Sequence, residues 1–186
     1  MSIISSSAVH KALSAFALLL AVTFAGASTW QTPDLLGGRD AGWRMVGEGQ
    51  MRWLGFRIYD ASLWATDDAA PTDGAFALEI RYHRDIASTR LVDTSLDEMR
   101  RLGVAEESRI EAWRDDLEAA FPDVVSGDVI VGVREADGSA VFYHRGERTV
   151  RIEDADFADA FFAIWLDERT REPGLREALL GRGDDG

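Results

Sequence analysis

Over residues 47–65 the chain sets Arg52, Arg57 and Tyr59 into a run otherwise dominated by apolar and aromatic side chains. Guanidinium and phenol groups placed in an apolar wall need partners, because a buried charge is costly until something opposite and hydrogen-bonding meets it. In the wall of a cavity, a small acid is such a partner. Arg57 shares the face of Tyr59 by strand parity. Arg52 lies at an odd interval from Tyr59, and reaches the same face only if Gly55 marks a bulge that resets the pleat. Arg52 is therefore the partner with a bulge, and Arg57 without one. Further along, Tyr82, His83, Arg84 and Asp85 crowd the approach to Ser88, where a helix N-terminus would favour an anion.

Each of these residues also has a plainer reading. Tyr59 can bury its ring with its hydroxyl on a backbone carbonyl, and Arg57 can pair with a surface acid. Arg84 and Asp85 can form a local pair, and the set Phe157, Phe161, Phe162 and Trp165, at helical spacing, reads first as core and second as a pocket wall.

Other chemistries lack their residues. Beyond the first 27 positions only His83 and His144 remain, neither in a ligand motif, and the chain has no cysteine, so neither a metal site nor a cofactor is expected. Gly47-Glu48-Gly49 lacks the third glycine and the following helix of a dinucleotide fingerprint, and no Walker loop or Gly-x-Ser-x-Gly elbow occurs. Arg182-Gly183-Asp184 is a tripeptide that recurs by chance in polar tails.

The elements that must position these groups can be read in order. Strand patterning begins near Arg44 and continues to about Ala65, and a loop follows over 67–74. Phe76, Leu78, Ile80 and Tyr82 alternate with Ala77, Glu79 and Arg81, the mark of a strand with one buried face, which places Tyr82 inward. Ser88 is placed to cap a helix carrying Leu91, Val92, Leu96, Met99 and Leu102, stopped at Gly103. A second helix starts near Glu106 with Ile110, Trp113, Leu117 and Phe121 as its stripe, and Pro122 ends it. Strands follow over 128–134, 140–144 and 148–152, separated by turn signals at Asp137-Gly138 and Arg145-Gly146. Asp154 caps a third helix bearing the phenylalanine set, and a short helical segment after Pro173 carries Leu175, Leu179 and Leu180. Strands and helices in this order predict an α+β domain, an antiparallel sheet with helices on one face.

Charge and the N-terminus bound the setting. Lys11, an apolar stretch over 12–24 and Ala25-Gly26-Ala27 read as a signal peptide over 1–27, cleaved after Ala27, with the domain over 28–181 and a frayed tail over 182–186. Export to the periplasm or beyond is the expectation, with no stable membrane anchor after cleavage. Removing Lys11, the one basic residue of the leader, leaves 19 arginines against 33 acidic residues, a formal charge of −14. Such a surface argues against nucleic acid as a partner, and it repels anionic headgroups unless it presents a local basic patch.

Three blocks, residues 54–64, Phe121-Pro122-Asp123 with Gly127-Asp128, and residues 157–166, together with 175–181, resemble the exported bacterial branch of the chalcone isomerase-like superfamily. The resemblance spans nearly the whole chain after the leader. It implies a chalcone isomerase-like fold, a large curved antiparallel β-sheet with a layer of α-helices packed on one face and a ligand cleft between them. Plant chalcone isomerases close a flavanone ring with an arginine, a threonine, a tyrosine and an asparagine, whereas fatty-acid-binding relatives keep an arginine and a tyrosine that hold a carboxylate. The threonine position falls on Tyr59, so the chain is similar to the fatty-acid-binding pattern. The expectation is thus a non-catalytic protein holding a small amphipathic acid such as a fatty acid, with Arg52 or Arg57, Tyr59, Tyr82 and Arg84 as ligand-binding residues. The alternatives are an isomerase of the intramolecular lyase type acting on an unsaturated carbonyl compound, and an envelope interaction protein without a ligand.

Overall fold

Alternating apolar and polar side chains fold the chain into two runs of three strands, each followed by helices. The computed structural model describes residues 35–36, 42–66 and 71–183, and the leader expected over 1–27 lies outside them. The strands are β1 (Arg44–Trp53), β2 (Phe56–Ala65), β3 (Phe76–Tyr82), β4 (Val129–Arg134), β5 (Ala140–His144) and β6 (Glu147–Ile152). They form one sheet in sequence order, each strand antiparallel to the next. Helices α1 (Ser88–Leu102), α2 (Glu107–Ala112) and α3 (Arg114–Ala120) are inserted between β3 and β4, and α4 (Ala155–Leu166) and α5 (Pro173–Leu179) close the domain. The α+β architecture read from the sequence is the one observed. None of the described helices is long and apolar enough to cross a membrane.

The period of two sorts side chains onto the two faces of the sheet. Ala61, Leu63 and Ala65 from β2 and Phe76, Leu78, Ile80 and Tyr82 from β3 face the helices. Ala77, Val129, Val131, Val133 and Val141 form a smaller cluster on the outer face, against which Leu35, Leu36, Trp43, Trp64 and Tyr143 pack. Val92, Leu96 and Met99 bring α1 onto the helix-covered face, and Phe157, Phe161 and Phe162 bring α4.

Three local readings need correction. The run from Arg44 to Ala65 is a hairpin, because Leu54 and Gly55 both have positive φ, 48° and 82°, and so make a two-residue turn. Gly55 is thus the turn itself, and the irregularity falls one strand on: Met51 pairs with Tyr59 and Arg52 with Arg57, leaving Ile58 as the extra residue of a bulge. Ser88 does not cap α1. Ala87 holds the cap position, and the carboxylate of Asp123, from a distant segment, accepts the Ser88 amide at 2.8 Å. The second expected helix is broken into α2 and α3 at Trp113, whose indole donates to Asp154 at 2.9 Å. Asp154 itself caps α4 as read, accepting the amides of Asp156 and Phe157, and it also accepts Arg109. Of the expected tail, Arg182 is tied back, its amide donating to the Glu177 carbonyl at 2.8 Å, while 184–186 lie outside the described residues.

The glycines of Gly47-Glu48-Gly49 serve packing. Helix α5 lies so close to β1 that a Cβ on Gly47 would sit 2.0 Å from the Ala178 carbonyl oxygen, and one on Gly49 2.7 Å from Leu175 Cδ1. A backbone oxygen cannot swing aside as a side-chain end can. Gly47→Ala is therefore expected to lower stability by about 3 kcal/mol or more, through displacement of α5. Urea unfolding of the two proteins checks this, and matching midpoints would refute the close-approach account.

Candidate functional site

The phenylalanines do not fill the space between sheet and helices. A cavity of about 660 Å³ remains, lined from the sheet by Ile58, Tyr59, Leu78, Ile80, Tyr82 and Ile130. From the helices it is lined by Leu91, Ser95 and Glu98 of α1, by Phe161, Ile164 and Trp165 of α4 and by Leu175 of α5. Because of the bulge, both Ile58 and Tyr59 reach it. The wall is mostly apolar, so each polar group in it carries weight.

Several of those polar groups are already engaged. Ser95 donates to the Leu91 carbonyl one helical turn back, and Thr170, beyond the end of α4, donates to the Ile164 carbonyl. Glu98 is pinned between Arg101 at 2.8 Å and Arg171 at 2.6 Å. The Tyr59 hydroxyl accepts the indole N–H of Trp165 at 3.0 Å, which leaves its own proton unspent. Tyr82, 8% exposed, meets Tyr59 edge-on at a ring distance of 6.2 Å, and its hydroxyl has no partner among the described residues. Arg90, in the first turn of α1, also lines the cavity; it is exposed to solvent, and its guanidinium is without a hydrogen bond or ion pair among them.

Burial pushes the Tyr59 phenol up to about 12, with Glu172 and Glu98 adding to the rise and the Trp165 hydrogen bond working against it. Burial also pushes Tyr82 well above its ordinary range, and the neighbouring Tyr59 reinforces it. Both phenols are therefore protonated near neutral pH and act as hydrogen-bond donors. The cavity combines two neutral donors, a cation at Arg90 and an apolar body.

The structure thus brings Tyr59 and Tyr82 together at the cavity, and places the three sequence-selected arginines elsewhere. Arg52 donates to Gln50 Oε1 at 2.6 Å at the end of the hairpin. Arg57 pairs with Asp60 at 3.1 Å, on the face opposite Tyr59, where Gln50 and His83 also bond the same carboxylate. Burial opposes ionisation of Asp60, but these three hydrogen bonds hold its carboxyl below the usual range. The guanidinium of Arg84 lies 4.7 Å above the Phe56 ring. None of the three is among the cavity-lining residues, so the choice between Arg52 and Arg57 does not turn on Gly55. The anion expected at the start of α1 is the protein's own Asp123. Among the described residues no group of three or more His, Cys, Asp or Glu is arranged to hold a metal ion.

The profile of the chalcone isomerase-like family matches residues 30–181. The chain belongs to that family. It is 23% identical over 144 residues to an uncharacterized protein of Haemophilus influenzae, the match covering 76% of this chain and 70% of that one. Among solved structures, the crystal structure of an Arabidopsis thaliana fatty-acid binding protein superposes with a TM-score of 0.60 at 9% identity, over 75% of this chain and 87% of that one. At that identity the likeness is one of fold.

The two phenols make stability depend on alkaline pH. Both ionise at higher pH folded than unfolded, where a tyrosine titrates near about 10. Their contribution is whole below about pH 10 and is lost as pH rises through 10 toward 12, because the unfolded chain releases these protons first. Urea midpoints across that interval should fall steeply in the native protein and less steeply in Tyr59→Phe/Tyr82→Phe. Parallel profiles would show that neither phenol is held protonated by the fold.

Proposed function

We propose that this protein binds a small amphipathic acid of the fatty-acid class in the cavity between sheet and helices, without transforming it. The observation that carries the reading is an apolar cavity of about 660 Å³ with an unpaired guanidinium, Arg90, in its lining. That volume falls within the ~300–1,000 Å³ usual for small-molecule sites. Arg90 takes the carboxylate through charge-assisted hydrogen bonds, Leu78, Ile80, Ile130, Ile164 and Leu175 surround the apolar body, and Tyr59 and Tyr82 donate to ligand oxygen. A fold neighbour that is a fatty-acid binding protein supports the ligand class.

Native mass spectrometry and solvent extraction of the purified protein should show a bound acid. Arg90→Ala is expected to weaken fatty-acid binding about tenfold or more, and Tyr82→Phe by about fivefold, the usual range for a charged and a neutral hydrogen bond. Empty protein, with fatty-acid titrations that do not distinguish these variants from the native chain, would refute the reading.

A second reading, isomerisation of an unsaturated carbonyl compound, draws on the same two phenols. Two protonated donors on a cavity wall suit a carbonyl oxygen that gains negative charge, and Glu172, just before α5, supplies a carboxylate in the cavity lining for proton transfer. Turnover of a chalcone above its solution rate, abolished in Tyr59→Phe/Tyr82→Phe, would favour it. A filled interior would have favoured an interaction protein without a ligand, and the cavity removes that support.

We further propose that the leader over 1–27 is cleaved and that the protein works in the periplasm or outside the cell, a reading supported by its charged start, apolar core and Ala-Gly-Ala site. The intact mass of the protein from expressing bacteria checks this: a chain that starts at Met1 contradicts it.

A further inference from the structure

The β1–β2 hairpin carries an apolar tip into solvent. Trp53, Leu54 and Phe56 are 63%, 76% and 57% exposed, three neighbouring large side chains around one tight turn. The turn stands clear of the rest of the protein, since a Cβ on Gly55 would meet nothing within 4 Å. Leu54 holds φ of 48°, a conformation in which Asn or Gly is at ease and a bulky side chain is not. Turn geometry alone does not account for a leucine there.

Cations surround the tip. Arg52 is bonded to the neutral Gln50 and Arg84 lies over the Phe56 ring, so neither spends its charge on an acid among the described residues. Arg57, paired with Asp60, stands nearby. The chain as a whole carries 20 basic and 33 acidic residues, a net charge of −13. A cationic tip on an acidic body turns that tip toward a negative surface and the body away from it. Trp53 belongs both to the tip and to the cavity lining, so the exposed turn sits where the cavity opens.

We propose that this tip docks the protein on an anionic lipid bilayer, with Trp53, Leu54 and Phe56 in the headgroup region, Arg52 and Arg84 on lipid phosphates, and the cavity mouth at the membrane surface. Aromatic rings are favoured at that depth, and arginines can bury their stems there while keeping their charge in water. Three side chains on a two-residue turn fall well short of the roughly 800 Å² per partner of a stable protein interface, whereas a bilayer accepts a narrow protruding tip. The inference does not rest on the ligand assigned to the cavity.

The experiment is co-sedimentation of the protein, in the form processed by expressing cells and with its N-terminus fixed by mass, with mixed phosphatidylglycerol–phosphatidylcholine vesicles and with phosphatidylcholine alone. Binding is expected to the mixed vesicles, about tenfold weaker to phosphatidylcholine, and weaker with added salt. Leu54→Asn suits the turn better than leucine does, so its thermal midpoint should hold or rise while vesicle partitioning falls about fivefold to tenfold. Arg84→Gln should weaken binding to the anionic vesicles only. No vesicle binding, or binding that neither substitution alters, overturns the proposal. Self-association that Leu54→Asn abolishes, without vesicle binding, also overturns it and assigns the tip to a second copy of the chain.

Discussion

Phe161 seats the helical layer on the sheet. Its ring stacks on Phe157 at an interplanar angle of 9° and meets Phe142 of β5, Phe162 and Trp165 edge-on at centroid distances of 5.0, 5.2 and 5.3 Å. It also lies against Phe121, beyond the end of α3. Each such ring pair adds about 0.5–1.5 kcal/mol beyond the area it buries, so one side chain fixes α4 in height and rotation. One helical turn further on, that placement delivers the Trp165 indole to the Tyr59 hydroxyl. The same ring closes the core on one side and walls the cavity on the other. Packing and site are two faces of a single arrangement.

The electrostatics of the cavity follow from what surrounds it. Glu98 and Glu172 stand near Tyr59 and help keep its proton in place. Glu98 in turn engages Arg101 and Arg171, which takes those two cations out of play. Arg90 remains available for a less obvious reason. Asp93, at the helical spacing that ordinarily pairs with it, is bonded instead to Arg114 of α3 at 3.0 Å.

That rerouting shows why some of the site was legible in the sequence and some was not. Tyr82 could be read because a period of two is a strong signal that needs only local geometry, and Tyr59 because it is a polar group in an apolar run on which the family resemblance also falls. The cap at Asp154 was equally local. The hairpin was hidden because its turn is Leu54-Gly55, without the Asn or Asp that announces such a turn. Arg52 was misplaced because two strands were read as one, and parity has no meaning across a turn; Arg57 was misplaced because the bulge at Ile58 breaks its parity with Tyr59. Ser88 failed as a cap, and Arg90 went unseen, because the deciding partners, Asp123 and Arg114, come from distant segments. Sequence pattern foretold the faces of the elements, and long-range pairing decided which charges stay free.

The contact between Gly47 and Ala178 joins the first strand to the last helix. Leu175, one wall of the cavity, is delivered by that same helix. The cavity therefore cannot be completed until almost the entire domain has been synthesised, because its closing wall is the last described element of the domain. Until then the helix-facing side of β1 has no cover, and closing it brings together segments separated by nearly the whole fold, a slow and non-local step. The order of the chain thus makes this cavity among the last features to mature, an open trough before it is a pocket.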